Sequence, residues 1–283
     1  MNLSVASNVM KQINTKVGGT SLKMRMPEFM TKNKVMVIGI DVCHAGGESI
    51  VGFTATTDDL FTQYYSNIIL QGKGKEIVEQ KLDQSMKEAL ESYERRNKTL
   101  PTKIIIYRDG VGEGMRDEII EKEISQFKKV LENSYDKQSQ PSVTLVVVNK
   151  RINQRMFMLT TDRGEQIDNP PPGSIIDTVL VENDDSNVCF DFFMVPQKTT
   201  QGCVTPTHFF VSLNESQDLS KKDLETITYN FCYLYSNWSG SIKVPAPCQY
   251  AHKIAEYHHT FDAAQMIKRK NVDYKKLCFN EKF

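Results

Sequence analysis

The sequence predicts an α/β fold in which a mixed sheet, part antiparallel meander and part parallel, is flanked by helices. Short apolar, β-branched runs at residues 35–40, 103–107 and 143–148 are typical of strands buried on both faces. Apolar residues recur at intervals of three and four over residues 77–93 and 115–131, which predicts amphipathic helices between them. Strands alternating with helices predict a sheet covered by helices, and the 40% apolar content is ample for its core.

The order of the elements defines the fold more closely. Strands at 50–56 and 61–70 follow the first strand after short polar turns, so the three are expected to form an antiparallel meander. Helix, strand, helix and strand come next, which is the RNase H-like order. The later half is less regular and contains a proline-rich turn at 170–173. There we predict strands near residues 175–181, 189–195 and 208–213 and a helix over about 219–235, all within one compact domain.

Composition excludes several classes of protein. Lys and Arg number 35 and Asp and Glu number 35, so any attraction for nucleic acid must come from a local basic face. The six cysteines contain no C-x-x-C pair, which argues against structural zinc and favours reduced, mostly buried thiols. The chain has no stretch of signal-peptide type and no apolar run approaching the ~20 residues that span a membrane. We therefore expect a soluble, intracellular protein.

Two aspartates follow buried strands and are candidates for metal-dependent hydrolysis. Asp41 ends the apolar run 35–40, and Asp109 closely follows the run 103–107. If these strands are neighbours, the two carboxylates lie side by side, and divalent metal would relieve their repulsion. Aspartate at a strand end is also a common turn former, and Arg108-Asp109-Gly110 alone could be a tight turn. Spacing leaves both interpretations open.

Glu76 and His252 are weaker candidates on chemistry alone. Glu76 follows a flexible spacer at 72–74 and lies at the start of a predicted helix, where the helix dipole favours a carboxylate whatever its function. Glu79 lies one turn further along. His252 follows two prolines that fix an extended approach to a predicted helix. A histidine there is more often a structural hydrogen-bonding group than a ligand, and magnesium prefers oxygen.

Several segments together resemble the signature segments of the Argonaute family. They are GIDVCH at 39–44, YRDGVGEG at 107–114 and VPAPCQYAHK at 244–253. Two further segments resemble the PIWI branch of that family, namely QKTTQGCVTPTHFFV at 197–211 and ITYNFCYLYSNWSGSI at 227–242. The resemblance covers nearly the whole chain, from about Val9 onward.

The resemblance implies a division of the chain and an activity. Residues 1–33 would be the end of a middle-domain-like segment that contributes to a guide 5′-phosphate pocket, and residues 34–283 would be the RNase H-like PIWI domain. The chain would be the core of a small-RNA-guided endonuclease that acts in RNA silencing by two-metal hydrolysis of a target strand paired to a guide. The two ions would be Mg²⁺, with Mn²⁺ as an alternative. The catalytic and metal-binding residues would be Asp41, Glu76, Asp109 and His252.

The resemblance also implies contacts with RNA and with partners. The guide 5′ phosphate would be bound by Gln12, Lys16 and Phe283. The RNA duplex would be contacted by Lys150, Arg151 and Arg155. An exposed lysine before a Gly-Gly turn, or a charged run after a strand, is also ordinary solvated structure. The implied partners are a piRNA-like small guide RNA, a complementary target RNA and silencing-complex proteins, with no membrane, in the cytoplasm, the nucleus or both.

Two other functions stay open. A full family member also has an N-terminal domain, a module that grips the guide 3′ end and most of a middle domain, which this sequence does not include. The chain could therefore be an RNA-binding silencing module that does not cleave. It could also be another RNase H-like nuclease, such as a transposase or a guide-independent RNA–DNA hybrid nuclease. That would explain Asp41 and Asp109 but not the segments at 197–211 and 244–253.

Overall fold

The computed structural model describes residues 3–45, 48–161, 166–178 and 189–265. The strands are β1 (Val35–Ala45), β2 (Glu48–Thr56), β3 (Tyr64–Gln71), β4 (Lys103–Asp109), β5 (Ser142–Asn149), β6 (Met158–Thr160), β7 (Gln166–Asp168), β8 (Ile175–Ile176), β9 (Phe190–Met194) and β10 (Thr207–Asn214). The helices are α1 (Leu3–Lys16), α2 (Glu28–Lys32), α3 (Leu82–Asn97), α4 (Arg116–Ile119), α5 (Ser125–Ser134), α6 (Lys221–Phe231) and α7 (Ala246–Gln265). A π-helical turn, Ile120–Ile124, joins α4 to α5.

Eight strands form one mixed sheet in the order β3-β2-β1-β4-β5-β10-β9-β8. The pairs β1/β2 and β2/β3 are antiparallel, as expected for the meander. The pairs β1/β4 and β4/β5 are parallel, and the pairs β5/β10, β10/β9 and β9/β8 are antiparallel again. The predicted fold class, an RNase H-like mixed sheet flanked by helices, is confirmed.

The sheet separates two hydrophobic cores. Even-numbered residues of β1 and β4 face α3 and α5, whereas odd-numbered residues face α2, α6 and the start of α7. The period of two follows from the pleat of a strand. It means that neighbouring residues on β4, such as Arg108 and Asp109, are directed to opposite faces.

Several predicted boundaries in the first half are wrong. The strand predicted at 61–70 begins at Tyr64, because Phe61 has a φ of 58° and lies in a turn. The helix predicted from residue 77 begins at Leu82, after Lys81 in the left-handed conformation with a φ of 71°. Glu76 therefore lies in a non-helical segment, residues 72–81, and not at a helix start. The helix predicted over 115–131 is interrupted by the π-helical turn.

The later half also differs from the expectation. Strand β8 covers only two residues, and positions 179–181 of the predicted strand lie outside the described residues. The helix predicted over 219–235 is shorter, and turns follow Phe231. The expectation of mostly buried thiols is wrong for the described cysteines, since Cys232 and Cys248 are buried while the others are half-buried or exposed. In the described ranges, no helix has the length and apolar character required to cross a membrane.

A glycine on β2 lets α7 pass very close to the sheet. A Cβ atom on Gly52 would stand 1.9 Å from the carbonyl oxygen of Ala251 on α7. Thr54 donates a hydrogen bond of 2.9 Å to the carbonyl of Pro247, which fixes the first turn of the helix at this distance. Gly52 is paired with Asp41 across β1 and β2, so α7 lies beside Asp41.

Gly52→Ala is expected to destabilise the fold, because the added methyl group would overlap backbone and force α7 away. Overpacking of this kind costs about 1–3 kcal/mol of the free energy of unfolding. Denaturation with guanidinium measures the loss. Gly112→Ala is the control, since nothing lies within 4 Å of a Cβ at that position. If both variants unfold like the wild type, the close packing of α7 described above is incorrect.

Candidate functional site

Asp41 and Asp109 lie side by side on neighbouring parallel strands. The register pairs Ile40 with Arg108, so the two aspartates come next along β1 and β4. The expectation that the first strand ends at Asp41 is wrong, because β1 continues to Ala45 in pairing with β2. The condition under which the two carboxylates meet, that their strands are neighbours, is fulfilled.

The turn after β4 makes room for these acidic side chains. Gly110 has a φ of +88°, a conformation that favours glycine, whereas Arg108 and Asp109 still belong to the strand. A Cβ on Gly110 would lie 3.7 Å from Oε1 of Glu76 and 3.8 Å from Oδ1 of Asp41. The carboxylates of Glu76 and Asp41 therefore approach the same point, directly beside Asp109.

Asp109 is a buried carboxylate with one oxygen in an ion pair and the other without a partner. Its Oδ2 lies 2.6 Å from Nζ of Lys150. Oδ1 has no hydrogen-bond partner among the described residues. Burial raises the pKa of Asp109, and the negative charge of Asp41 adds to this effect while Lys150 opposes it. A buried carboxylate oxygen without a partner is costly, so this position favours a cation.

His252 forms a direct hydrogen bond with Asp41. Its Nδ1 lies 2.7 Å from Oδ2 of Asp41, although 211 positions separate the two residues in the chain. The hydrogen bond to Asp41 raises the pKa of His252 against the opposing effect of burial. The close approach of α7 at Gly52 brings this histidine to the sheet.

Glu76 is held between two cationic or polar partners. Nη1 of Arg108 donates a 3.1 Å hydrogen bond to Oε1 of Glu76, and Nε2 of His44 lies 2.9 Å from Oε2. Ser49 contacts the other ring nitrogen of His44 at 2.8 Å. The alternative carboxylate, Glu79, pairs instead with lysines on the exterior, at 2.7 Å from Lys75 and 3.3 Å from Lys122. The structure therefore brings Glu76, and not Glu79, to the two aspartates.

Arg108 and His44 were not predicted as site residues. Arg108 is completely buried and points to the face of the sheet opposite to Asp109. A signal for it existed, because an arginine directly after the apolar run 103–107 continues a strand that is buried on both faces, and a buried arginine requires acidic partners. His44 has no comparable signal, since its role depends on the position of the 72–81 segment.

The ligand atoms around Asp41 and Asp109 suit a hard divalent cation. Carboxylate oxygens of three residues and one imidazole approach each other, and oxygen is the ligand atom that magnesium prefers. Across the described part of the chain, no three acidic, histidine or cysteine side chains already surround one point as metal ligands. Here the acidic groups are paired with Lys150, Arg108, His44 and His252. With Oδ1 of Asp109 unpartnered, the residues present fit such an ion.

Two of the three residues predicted to bind a guide 5′ phosphate, Gln12 and Lys16, lie on α1. Gln12 is on α1, where its Nε2 donates a 3.4 Å hydrogen bond to the carbonyl of Asn237, and Lys16 is the last residue of α1. Residues of α1 and of the 233–239 segment line a common cavity of ≈ 80 Å³, to which α1 contributes Lys11 and Thr15 rather than Gln12 or Lys16. Phe283 lies outside the described residues.

The three residues predicted to contact RNA have different environments. Lys150 is directed at Asp109, as described above. Arg151 and Arg155 are exposed. Arg155 donates hydrogen bonds of 3.0 Å and 2.8 Å to the carbonyls of Ile152 and Gln154 in its own loop. The environment of Arg151 and Arg155 is therefore that of an ordinary solvated loop and does not by itself indicate RNA binding.

The fold and the residues around Asp41 and Asp109 define an RNase H-like domain with a cluster of acidic residues. Comparisons with known proteins identify the family. The Piwi domain family model matches residues 1–262. Piwi-like protein Ago3 of Bombyx mori is 40% identical over 255 residues, which is 89% of this chain and 26% of that protein. Among solved structures, the C-terminal lobe of a budding yeast Argonaute superposes with a TM-score of 0.82 at 26% identity, covering 99% of this chain and 59% of that chain.

A second solved structure, Kluyveromyces polysporus Argonaute with a guide RNA, gives a TM-score of 0.80 at 25% identity and covers 99% of this chain and 34% of that chain. The chain belongs to the Piwi domain family. It spans about a quarter of the length of the curated relatives that it matches.

Proposed function

We propose that this chain is the nuclease core of a PIWI-type Argonaute, which cuts an RNA strand paired to a small guide RNA in RNA silencing. The observation that carries the proposal is the convergence of Asp41, Asp109 and Glu76 beside Gly110, with His252 bonded to Asp41. These residues come from β1, the 72–81 segment, β4 and α7. Such convergence beside the central strands of an RNase H-like sheet suits phosphodiester hydrolysis with divalent metals.

Asp41, Glu76, Asp109 and His252 would hold two magnesium ions, or manganese ions in their place. When bound, the ions would lower the pKa of an attacking water and stabilise the departing oxygen. The residues of the chain have separate tasks. Asp109 offers an oxygen that has no hydrogen-bond partner in the described part of the chain, and Asp41 orients the ring of His252. Arg108 and His44 hold the two oxygens of Glu76.

Base pairing between guide and target would select the target RNA sequence, while the protein would hold the backbone of the A-form duplex. Lys150, Arg151 and Arg155 follow β5, the strand next to β4, and would reach the duplex from there. Gln12, Lys16 and Phe283 would bind the guide 5′ phosphate. The similarity to an Argonaute described with a guide RNA supports this assignment. The partners would be a piRNA-like guide, its target and silencing-complex proteins. The protein would act in the cytoplasm, the nucleus or both.

The second candidate function is an RNA-binding module that does not cleave. One observation favours it, namely that the ammonium group of Lys150 lies on the carboxylate of Asp109 at 2.6 Å, where a metal ion would otherwise bind. In that case the acidic cluster would serve the fold and the RNA-binding surface rather than hydrolysis.

Cleavage distinguishes these functions. With magnesium and a 5′-phosphorylated guide, the chain, or the chain joined to a middle domain, is expected to cut a labelled paired RNA at one position. Asp109→Asn should reduce the rate roughly 10⁴-fold or more, as loss of a group in a catalytic unit does. Asp117→Asn, an exposed aspartate on α4, is the control and should cut normally.

Other outcomes of the cleavage assay decide between the alternatives. Folded protein that binds guide and target without cutting would support the binding module. Cutting of an RNA–DNA hybrid without any separate guide would support a guide-independent nuclease.

Lys150→Met is expected to strengthen the binding of Mn²⁺ about tenfold, because an ammonium group no longer competes for Asp109. Isothermal titration calorimetry at pH 8 measures the change in Kd. Lys253→Met is a closely matched control, because each lysine side chain is 33% exposed and each ion-pair distance is 2.6 Å, but the partner of Lys253 is Glu256. Weaker binding in Lys150→Met than in the control would contradict the competition.

A further inference from the structure

The segment at 72–81 carries Glu76 but has neither helix nor strand structure of its own, so other elements must fix its position. Within the segment, Lys75 and Glu79 form a solvent-exposed ion pair, and such pairs contribute little to stability. Its buried partners come from other parts of the chain, namely Arg108 on β4, the π-helical turn Ile120–Ile124 and the first residues of α5.

Glu123 is the first buried anchor. Its side chain is 1% exposed, and its Oε1 accepts a 2.9 Å hydrogen bond from the backbone N–H of Val78. The same carboxylate accepts hydrogen bonds from Nε of Arg108 at 3.1 Å and 3.3 Å. Arg108 in turn donates to the carbonyl of Glu76 at 2.6 Å and to its side chain. Glu123 thus holds the segment both directly and through Arg108.

Gln126 is the second buried anchor. Its Oε1 accepts a hydrogen bond of 3.1 Å from the N–H of Leu82, the first residue of α3. Its Nε2 donates a 2.8 Å hydrogen bond to the carbonyl of Val78. Glu123 and Gln126 together satisfy both backbone polar groups of Val78, a residue with no exposed surface. Unpaired backbone groups at such a position would be costly.

Glu123 on the π-helical turn and Gln126 on α5 face the same segment, because residues three positions apart lie on one face of a helix. A π-turn widens the helix locally and changes which side chains point inward, and such turns occur often at functional sites. Here Glu123 and Gln126 are buried, whereas Glu121 on the same turn is exposed. Two polar side chains are therefore buried against the backbone that follows Glu76.

We propose that Glu123 and Gln126 are positioning residues that hold the segment from Glu76 to Leu82 and thereby place the Glu76 carboxylate beside Asp41 and Asp109. The inference rests on the proposed function, because it assigns these residues a role in assembling the proposed metal site. Neither Glu123 nor Gln126 forms a hydrogen bond with Asp41 or Asp109 within the described ranges, so their effect must pass through the 76–82 backbone and Arg108.

Two variants of the full chain test the anchors. Gln126→Leu removes the acceptor for Leu82 and the donor to Val78 while keeping a similar volume. Glu123→Gln keeps an acceptor for Val78 but removes the charge that pairs with Arg108. Glu121→Gln makes the same chemical change as Glu123→Gln at an exposed position and is the control.

Hydrogen exchange measured by NMR reports the anchoring directly. In Gln126→Leu, the Leu82 amide should exchange at least about tenfold faster, whereas the amide of Ile105 in the central strand β4 should keep its rate. Titration with Mn²⁺ alone should give a Kd about tenfold weaker for both variants and unchanged for Glu121→Gln. A purely structural role would instead accelerate both amides equally and leave the Mn²⁺ affinity of the folded protein unchanged, which would overturn the proposal.

Asp109→Asn, titrated in parallel, separates this inference from the proposed function. If it weakens Mn²⁺ binding and the two anchor variants do not, the anchoring proposal is wrong while the metal site stands. If Asp109→Asn binds Mn²⁺ like the wild type, the metal assignment is wrong. The exchange rate of the Leu82 amide then decides alone whether the anchor exists.

Discussion

The buried guanidinium of Arg108 is the group on which the rest of the site depends. A fully buried cation must be paired, because an uncompensated charge in the interior costs several kcal/mol. Arg108 meets this requirement with Glu123 on the π-helical turn, with the side chain and carbonyl of Glu76 and with the carbonyl of Asp109. One side chain thereby joins the end of β4, the 72–81 segment and the helical layer.

The other half of the site depends on close packing rather than on charge. At Gly52 there is no side chain between β2 and the backbone of α7, and Thr54 fixes the first turn of the helix. This close packing accompanies the 2.7 Å contact between His252 on α7 and Asp41. The cluster of Asp41, Asp109, Glu76 and His252 is thus assembled from both faces of the sheet. Partners on one face hold Glu76, and α7 on the other face supplies His252.

Strands and their order could be predicted from the sequence because continuous apolar runs are strong local signals. The sequence made the meeting of Asp41 and Asp109 conditional on β1 and β4 being neighbours, and the pairing of the two strands fulfils that condition. The start of α3 could not be predicted in this way. The apolar period continues back to Ile77 and Val78, but hydrogen bonds with Glu123 and Gln126 hold the backbone of Val78 outside the helix. The roles of Lys150 and His44 depend on contacts between distant segments, for which the local pattern carries no signal.

Anomalous scattering from crystals of the chain soaked in Mn²⁺ tests the proposed metal site most directly. Anomalous peaks are expected in contact with the carboxylates of Asp41 and Asp109, with Glu76 and His252 as further ligands and with Lys150 released from Asp109. Manganese bound only elsewhere, with Lys150 still paired to Asp109, would contradict the claim that these four residues form one metal site.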